Sequence, residues 1–180
     1  MEKIVNIQDG ASVSKEENFL VVKGPKGELR KEFRHPRIKV KIDNSTVRIK
    51  SDSERRKVGS VVGTWAAHLR NMTQGVKTGW EGRMKIVYSH FPVKVAVEGD
   101  RVVIQNFGGE RKSRISKIAG DTKVDIKKDE IIVSGVNKED VGQTCSNLEL
   151  ATKIKGRDKR IFQDGIYITS KPQPPEEAGE

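Results

Sequence analysis

The chain has 180 residues, with 35 Lys and Arg against 25 Asp and Glu, a formal net charge of +10. This length permits one large or two small domains, and the basic balance predicts a polyanionic partner, most often a nucleic acid. No segment approaches the roughly 20 apolar residues of a membrane-spanning helix, and the first residues lack the pattern of a secretory signal. We therefore expect a cytoplasmic protein without a membrane partner.

Cysteine and histidine are too few and too scattered for a metal site. Cys145 is the single cysteine, and His35, His68 and His90 lie far apart without ligand-like spacing. The chain also lacks a phosphate-cradling glycine loop that opens a helix, a nucleophile elbow and a close acid, base and nucleophile set. The sequence therefore predicts no metal, no cofactor, no small-molecule substrate and no enzymatic activity.

Four short β-strands are predicted in the first third of the chain. Phe19–Lys23 and Glu28–Phe33 flank Gly-Pro-Lys-Gly, which is suited to a turn between antiparallel strands. The runs 38–42 and 46–50 alternate apolar and polar residues with period two. The same Gly-Pro-Lys-Gly also fits the GxxG loop of KH domains, so a KH-like or other single-strand RNA-binding regulator is the alternative hypothesis.

An amphipathic helix is predicted over residues 53–74. Apolar residues recur at spacings of three and four, Ser51 with Glu54 fits a capping box, and Gly75 is placed to end the helix. Trp65 lies on the apolar stripe and is expected in the core. Gly75, Gly79 and Gly82 predict a flexible connection, after which Met84, Ile86 and Tyr88 alternate as a further strand.

The second half of the chain repeats the first at an offset of 82 to 84 residues. Asp100–Glu110 aligns with Asn18–Glu28, and Glu139–Gly142 aligns with Arg56–Gly59. The predicted fold class is α+β, with two tandem copies of a unit in which a small, mostly antiparallel sheet packs against one amphipathic helix. The predicted boundaries are 1–82 for the first copy, 83–171 for the second and 172–180 for a disordered acidic tail.

A second amphipathic helix is predicted in the second copy. Asn137 can cap it, and its buried stripe consists of Val141, Cys145, Leu148 and Ala151. Cys145 is thus predicted to be a small core residue rather than a nucleophile.

Basic residues concentrate in loop-like segments of the second copy. The segment 152–171 runs from a cationic block into the apolar run Ile166–Ile168, with Ile161 and Phe162 as expected anchors, and Arg111–Arg114 occupies the aligned position of Leu29–Glu32. Phe162, Ile166 and Tyr167 are expected to hold the loop rather than to touch RNA. The predicted RNA contacts, in order of preference, are Lys155, Arg157, Lys159, Arg160 and Lys171 together with Lys153, then Arg111, Lys112 and Arg114, then Arg83 and Lys85.

Four stretches together resemble one protein family: VVKGPKGELRKEF, GVKTGWEGRMKIVYSHFPVKV, IQNFGGE and RDKRIFQDGIYI. They are similar to the large-subunit ribosomal protein numbered six in bacteria and nine in eukaryotes, over about residues 19–171. The most specific pattern is met by Arg160, Phe162 and Asp164–Tyr167. Leu150 departs from the expected glutamine, and the basic insertion of eukaryotic members is missing near residues 50–55, which indicates an archaeal-type member.

This resemblance implies more than composition or spacing does. It implies a structural constituent of the large ribosomal subunit that binds large-subunit rRNA mainly through its second domain. It also implies a cytoplasmic, ribosome-bound location near the sarcin-ricin loop, with neighbouring ribosomal proteins as partners and translational GTPases nearby.

Overall fold

A computed structural model describes residues 1–43, 45–156, 158 and 160–175. The chain divides into two units, Met1–Gly79 and Trp80–Glu180. Each unit has two antiparallel sheets and one helix, so the predicted duplicated α+β architecture is confirmed.

The first unit contains six strands and one helix. The strands are β1 (Glu2–Asn6), β2 (Ser12–Glu16), β3 (Phe19–Gly24), β4 (Gly27–Glu32), β5 (Ile38–Ile42) and β6 (Thr46–Ser51), and the helix is α1 (Arg56–Thr78). The sheets have the orders β1-β6-β5 and β2-β3-β4. The helix packs against β1, β3, β4 and β6.

The second unit contains seven strands and one helix. The strands are β7 (Trp80–Val87), β8 (Lys94–Glu98), β9 (Arg101–Gln105), β10 (Arg114–Lys117), β11 (Lys123–Lys127), β12 (Glu130–Gly135) and β13 (Gly165–Gln173), and the helix is α2 (Lys138–Ala151). The sheets have the orders β8-β9-β10 and β11-β12-β7-β13. A 3₁₀ turn at Phe107–Gly109 follows β9.

The apolar pattern of the sequence accounts for both cores. In α1, Val62, Trp65 and Leu69 are buried on the face toward the sheets, and the Trp65 ring meets Phe33 edge-on at 5.3 Å between ring centroids. In α2, Val141, Cys145 and Leu148 are buried as predicted, Ala151 is half-buried, and the Asn137 side chain accepts a hydrogen bond from the Glu139 N–H. The core roles of Trp65 and Cys145 are confirmed.

The boundaries of the first helix differ from the prediction. The helix runs from Arg56 to Thr78, and its N-cap, Arg55, makes no side-chain capping hydrogen bond. The Ser51 hydroxyl instead bonds to Ser53, which removes it from a capping box. Gly75 is buried inside the helix, whose end lies at Gly79, where φ is +78°. The predicted end at Gly75 was wrong because the apolar stripe continues through Val76.

The predicted flexible connection is also corrected. Gly82 lies inside β7, where an added Cβ would sit 2.9 Å from the Cys145 Sγ, so this glycine permits close packing of strand and helix. The unit boundary falls between Gly79 and Trp80, three residues before the predicted one, because Trp80–Gly82 already pair with β12. In the predicted tail, Pro172 and Gln173 belong to β13, and residues 176–180 lie outside the described residues.

Candidate nucleic-acid interface

The cationic block of the second unit lies in a loop, residues 153–164, that is fixed at both ends. The loop begins after α2 and leads into β13, which pairs with β7. Buried Ile166 anchors the strand, and its N–H donates to the Thr152 Oγ1 at 3.0 Å. The Thr152 hydroxyl in turn donates to the Leu148 carbonyl of α2. We call residues 153–164 the basic loop.

Asp158 organises the middle of the basic loop. Its carboxylate accepts hydrogen bonds from the Arg160 backbone N–H at 2.9 Å and from the Arg160 guanidinium at 2.8 Å. The side-chain hydrogen bond with Arg160 lowers the pKa of Asp158 and raises the pKa of Arg160. The Asp158 carbonyl accepts from the N–H groups of Ile161 and Phe162. The pair holds a turn and leaves the guanidinium at the surface.

The structure describes some of the predicted RNA contacts in this loop and not others. Lys153, Lys155 and Arg160 are exposed, whereas Arg157 and Lys159 lie outside the described residues. The expected anchor Ile161 is 74% exposed, so it does not fix the loop to the core. That role falls to Ile166, because a side chain anchors a loop only where neighbouring apolar groups surround it.

Arg114 connects a second basic segment to the basic loop. Its guanidinium donates to the Ala151 carbonyl at 2.9 Å and to the Lys153 carbonyl at 3.2 Å, and it forms a two-point ion pair with Glu110. It also lies over the Phe107 ring, 4.4 Å from the centroid. The hydrogen bonds to Glu110 raise the pKa of Arg114. With its donors directed at protein acceptors, Arg114 is suited to positioning the loop rather than to contacting phosphate.

Arg111 and Lys112 are exposed in the connection between β9 and β10. The sequence alignment placed Arg111–Arg114 opposite a strand, but Arg114 alone belongs to β10 and pairs with Ile104. The corresponding turn in the first unit contains just Pro25 and Lys26 between its strands. The connection between β9 and β10, residues 106–113, is longer than the turn in the first unit. Arg111 and Lys112 therefore lie outside the sheet, although the sequence alignment placed them opposite strand residues.

Arg83 and Lys85 lie on the face of the four-stranded sheet opposite α2. In β7 they alternate with buried Gly82, Met84 and Ile86. Lys85 lies directly opposite Tyr167 of β13, so the two side chains project from the same face. The addition of β13 thus brings Tyr167 beside Lys85 and brings Asp164, the last residue of the basic loop, to Ser89. The remaining predicted contact, Lys171, is exposed on β13.

Two further cations that sequence reasoning missed are Lys127 and Lys128. They line a shallow depression with Lys85 and Thr169. Their position depends on the pairing of β12 with β7, which joins residues about 45 positions apart in the chain. No local pattern in the sequence predicts that pairing.

The interface offers cations and hydrogen-bond donors rather than reactive groups. Across residues 1–43, 45–156, 158 and 160–175, no three His, Cys, Asp or Glu side chains converge to hold a metal ion. Burial raises the pKa of the Cys145 thiol to about 11, so the thiol stays protonated at neutral pH. Among the described residues, neither helix combines the length and apolarity needed to cross a bilayer. The arrangement defines the class of the protein: a duplicated α+β protein whose second unit displays exposed cations in the segment between α2 and β13 and in the connection between β9 and β10.

Comparison with known proteins places this class in one family. The model of the family described as ribosomal protein L6 matches residues 7–79 and again residues 91–165, once in each unit. The chain is 50% identical to large ribosomal subunit protein uL6 of Methanosarcina mazei, over 94% of this chain and 96% of that protein. The protein of the same name from Thermoplasma acidophilum is 43% identical over 93% and 94% of the two chains. That from Haloarcula marismortui is 47% identical over 85% and 86%.

The chain belongs to the ribosomal protein L6 family and is an archaeal-type member. It is therefore a structural ribosomal constituent, cytoplasmic and ribosome-bound, and not an enzyme. The KH-like alternative is wrong, since Gly24 and Gly27 face each other at the end of a strand hairpin and do not join two helices.

Proposed function

We propose that this protein binds large-subunit rRNA through the second unit, with the basic loop as the principal contact. The observation that carries the proposal is the mounting of exposed cations on a loop fixed at both ends, by Ile166 in the sheet and by Arg114 at the helix terminus. A fixed loop loses less conformational entropy on binding than a mobile one. Phosphate contacts then give affinity, and the shape of the folded surface gives register on the RNA.

The proposed phosphate contacts keep most of the order predicted from the sequence. Lys153, Lys155, Arg160 and Lys171 come first with Arg157 and Lys159, followed by Arg111 and Lys112 and then Arg83 and Lys85. Arg114 is assigned a positioning role, because its guanidinium contacts Glu110, Ala151 and Lys153. The family resemblance further supports a position near the sarcin-ricin loop, beside neighbouring ribosomal proteins and the region where translational GTPases dock.

The salt dependence of RNA binding tests the surface. Replacing Lys155, Arg157, Lys159 and Arg160 by Gln should reduce the slope of log affinity against log salt by about three units, since each lost phosphate contact removes roughly 0.7 to 0.9 units. The control variant replaces four exposed lysines spread over both units, Lys15, Lys57, Lys94 and Lys117. Equal losses from the two variants would indicate binding by diffuse charge and would overturn the proposed surface.

The proposed position on the ribosome has its own test. Cys145 is buried and its thiol pKa is about 11, so a cysteine introduced by Lys155→Cys can be labelled selectively in the native protein. An iron chelate attached there should cleave rRNA in or beside the sarcin-ricin loop after incorporation into large subunits. Cleavage confined to distant rRNA helices would contradict the proposed position.

A further inference from the structure

An apolar pocket opens beside the basic loop and is not explained by phosphate binding. It has a volume of about 280 Å³ and lies between the end of α2 and the start of β13. Three apolar side chains that line it remain exposed: Leu150 at 63%, Phe162 at 41% and Tyr167 at 43%. Large apolar groups gathered at one exposed place commonly mark a binding site.

We propose that this pocket binds one unpaired nucleobase of the rRNA, stacked against Tyr167 and Phe162. The inference rests on the proposed function, since it assumes that RNA lies along the basic loop. Proteins recognise RNA largely through single-stranded bases that stack on aromatic side chains. At about 280 Å³ the pocket is at the lower end of small-molecule clefts, a size suited to one planar ring system.

Neighbouring groups hold the Tyr167 ring in place at the pocket. The Tyr167 hydroxyl donates to the Gln163 carbonyl at 3.0 Å. The Tyr167 ring also lies against Gly165, where an added Cβ would be only 3.0 Å from the ring. Buried Ile166 fixes the backbone between these two residues. A ring held in this way presents its surface without losing side-chain entropy on binding.

The charges around the pocket favour a nucleobase over a phosphate as its occupant. Two carboxylates, Glu149 and Asp164, line it together with Lys153. The Asp164 Oδ1 accepts from the Ser89 N–H at 3.0 Å, which orients that side chain. Carboxylates repel phosphates but accept hydrogen bonds from the N–H groups of bases, as Glu and Asp do from cytosine. The site therefore fits a base that bears an amino group.

The surroundings of the pocket favour RNA over an apolar segment of a protein. Lys153 lies at the pocket, Lys155 follows two residues later, and Lys85 lies opposite Tyr167 in the sheet. These cations flank the apolar surface on the basic-loop side and on the sheet side. A base inserted between them would have its neighbouring phosphates within reach of lysine, so stacking and charge neutralisation would reinforce each other.

The test uses the full chain and its own large-subunit rRNA transcribed in vitro. Replacing Phe162 and Tyr167 together by Leu keeps apolar volume but removes both rings. We expect RNA affinity to fall about tenfold or more at every salt concentration. The slope of log affinity against log salt should not change, because the phosphate contacts remain. Thermal unfolding of the variant checks that the second unit is folded.

Two control variants separate stacking from other roles. Tyr167→Phe keeps the ring but loses the hydrogen bond to Gln163, so it should lose less affinity than the double variant. Ile4→Ala removes an exposed apolar side chain of the first unit that does not line the pocket, and it should have no effect. Unchanged affinity of the double variant would overturn the inference and favour a protein partner at the pocket. A parallel fall in affinity and salt slope would also overturn it, since the rings would then merely hold the basic loop. If the parent chain did not bind rRNA, the proposed function itself would fail first.

Discussion

The two units share one framework, and they differ in what is added to its edges. The first-unit sheets β1-β6-β5 and β2-β3-β4 correspond to β7-β12-β11 and β8-β9-β10 in the second. The second unit adds β13 beside β7, and within the described residues of the first unit β1 has no such neighbour. The second unit also lengthens the connection between β9 and β10. These additions carry most of the proposed RNA contacts, whereas Arg83 and Lys85 lie on β7 of the shared framework.

The proposed RNA contacts lie in the second unit, but the larger net charge belongs to the first. Residues 1–79 have 17 Lys and Arg against 9 Asp and Glu, a net charge of +8, whereas residues 80–180 have 18 against 16, a net charge of +2. The first unit is therefore the more basic. The proposed interface in the second unit therefore depends on how its cations are positioned, not on how many there are.

The first unit concentrates four cations on one face of a sheet. Lys39 lies opposite Lys50, and Lys41 lies opposite Arg48, in the pairing of β5 with β6. Like charges directly opposite each other destabilise a strand pair. Ion pairs reduce this repulsion at two of the four positions: Lys39 pairs with Asp52, and Arg48 pairs with Asp43. Among the described residues, Lys41 and Lys50 form no ion pair within 4 Å.

Replacing the cations of this face should give the largest measurable difference between the two units. Replacing Lys39, Lys41, Arg48 and Lys50 by Gln removes as much charge as the basic-loop variant does. We expect the face variant to lose less than about one unit of salt slope, against about three for the loop variant. Titrations with large-subunit rRNA over a range of salt concentrations measure both. A face variant that lost as much slope as the loop variant would show that the first unit also binds RNA backbone.

The second prediction concerns the boundary between the units. A fragment of residues 80–175 should unfold cooperatively, whereas a fragment of residues 83–175 should be less stable by about 3 to 5 kcal/mol, the usual cost of deleting a large buried aromatic side chain. The shorter fragment lacks Trp80, whose side chain is buried. The Lys138 Nζ lies 4.2 Å from the centroid of the Trp80 ring. Thermal melts of the two fragments, followed by circular dichroism, make the comparison. Equal midpoints would show that Trp80 does not belong to the core of the second unit.

The third prediction compares the added strand with the bare edge of the first unit. Ile166→Ala should destabilise the second unit by about 2 to 5 kcal/mol, because Ile166 is fully buried. Ile4→Ala on β1 should change stability by less than about 0.5 kcal/mol, because Ile4 is 59% exposed. Hydrogen exchange of the full chain, followed unit by unit, measures both effects. A large effect of Ile4→Ala would mean that the edge of β1 is covered in solution.

The smallest effect is a difference in pH dependence. Cys145 aligns with Val62 of the first unit, so a titratable group is buried in one helix stripe and an inert one in the other. Burial raises the pKa of the Cys145 thiol from 9.0 to about 11. A raised pKa contributes stability that is complete below pH 9 and is lost as the pH rises toward 11, here by up to about 2 to 3 kcal/mol.

The matched variant for this effect is Cys145→Ala. Its stability relative to the parent chain should improve between pH 9 and pH 11, because it lacks the titrating thiol. Denaturant melts of both proteins at several pH values isolate the difference from the titration of lysine and tyrosine. A constant difference across this range would show that the thiol does not ionise on unfolding.

Sequence alone determined those elements whose signals are local. The period-two runs of β3 to β6, the stripe of α2 and the Asn137 cap each depend on residues a few positions apart, and each lies where it was predicted. The duplication was also visible, because two copies of one local pattern align at a nearly constant offset. Family membership followed from long specific motifs, which comparison with known proteins bears out.

Tertiary structure decided the features that depend on distant pairing. The edge strands β1, β2 and β8 have largely exposed, partly polar residues, so their alternation is weak and their partners alone define them. The proposed role of Arg114 depends on contacts with the carbonyls of residues 151 and 153, and that of Tyr167 depends on its contact with Gly165 and on the addition of β13 to β7. Sequence could show that these side chains are charged or aromatic. Only the folded chain determines whether a charge faces a protein carbonyl or solvent, because that depends on groups brought together by folding.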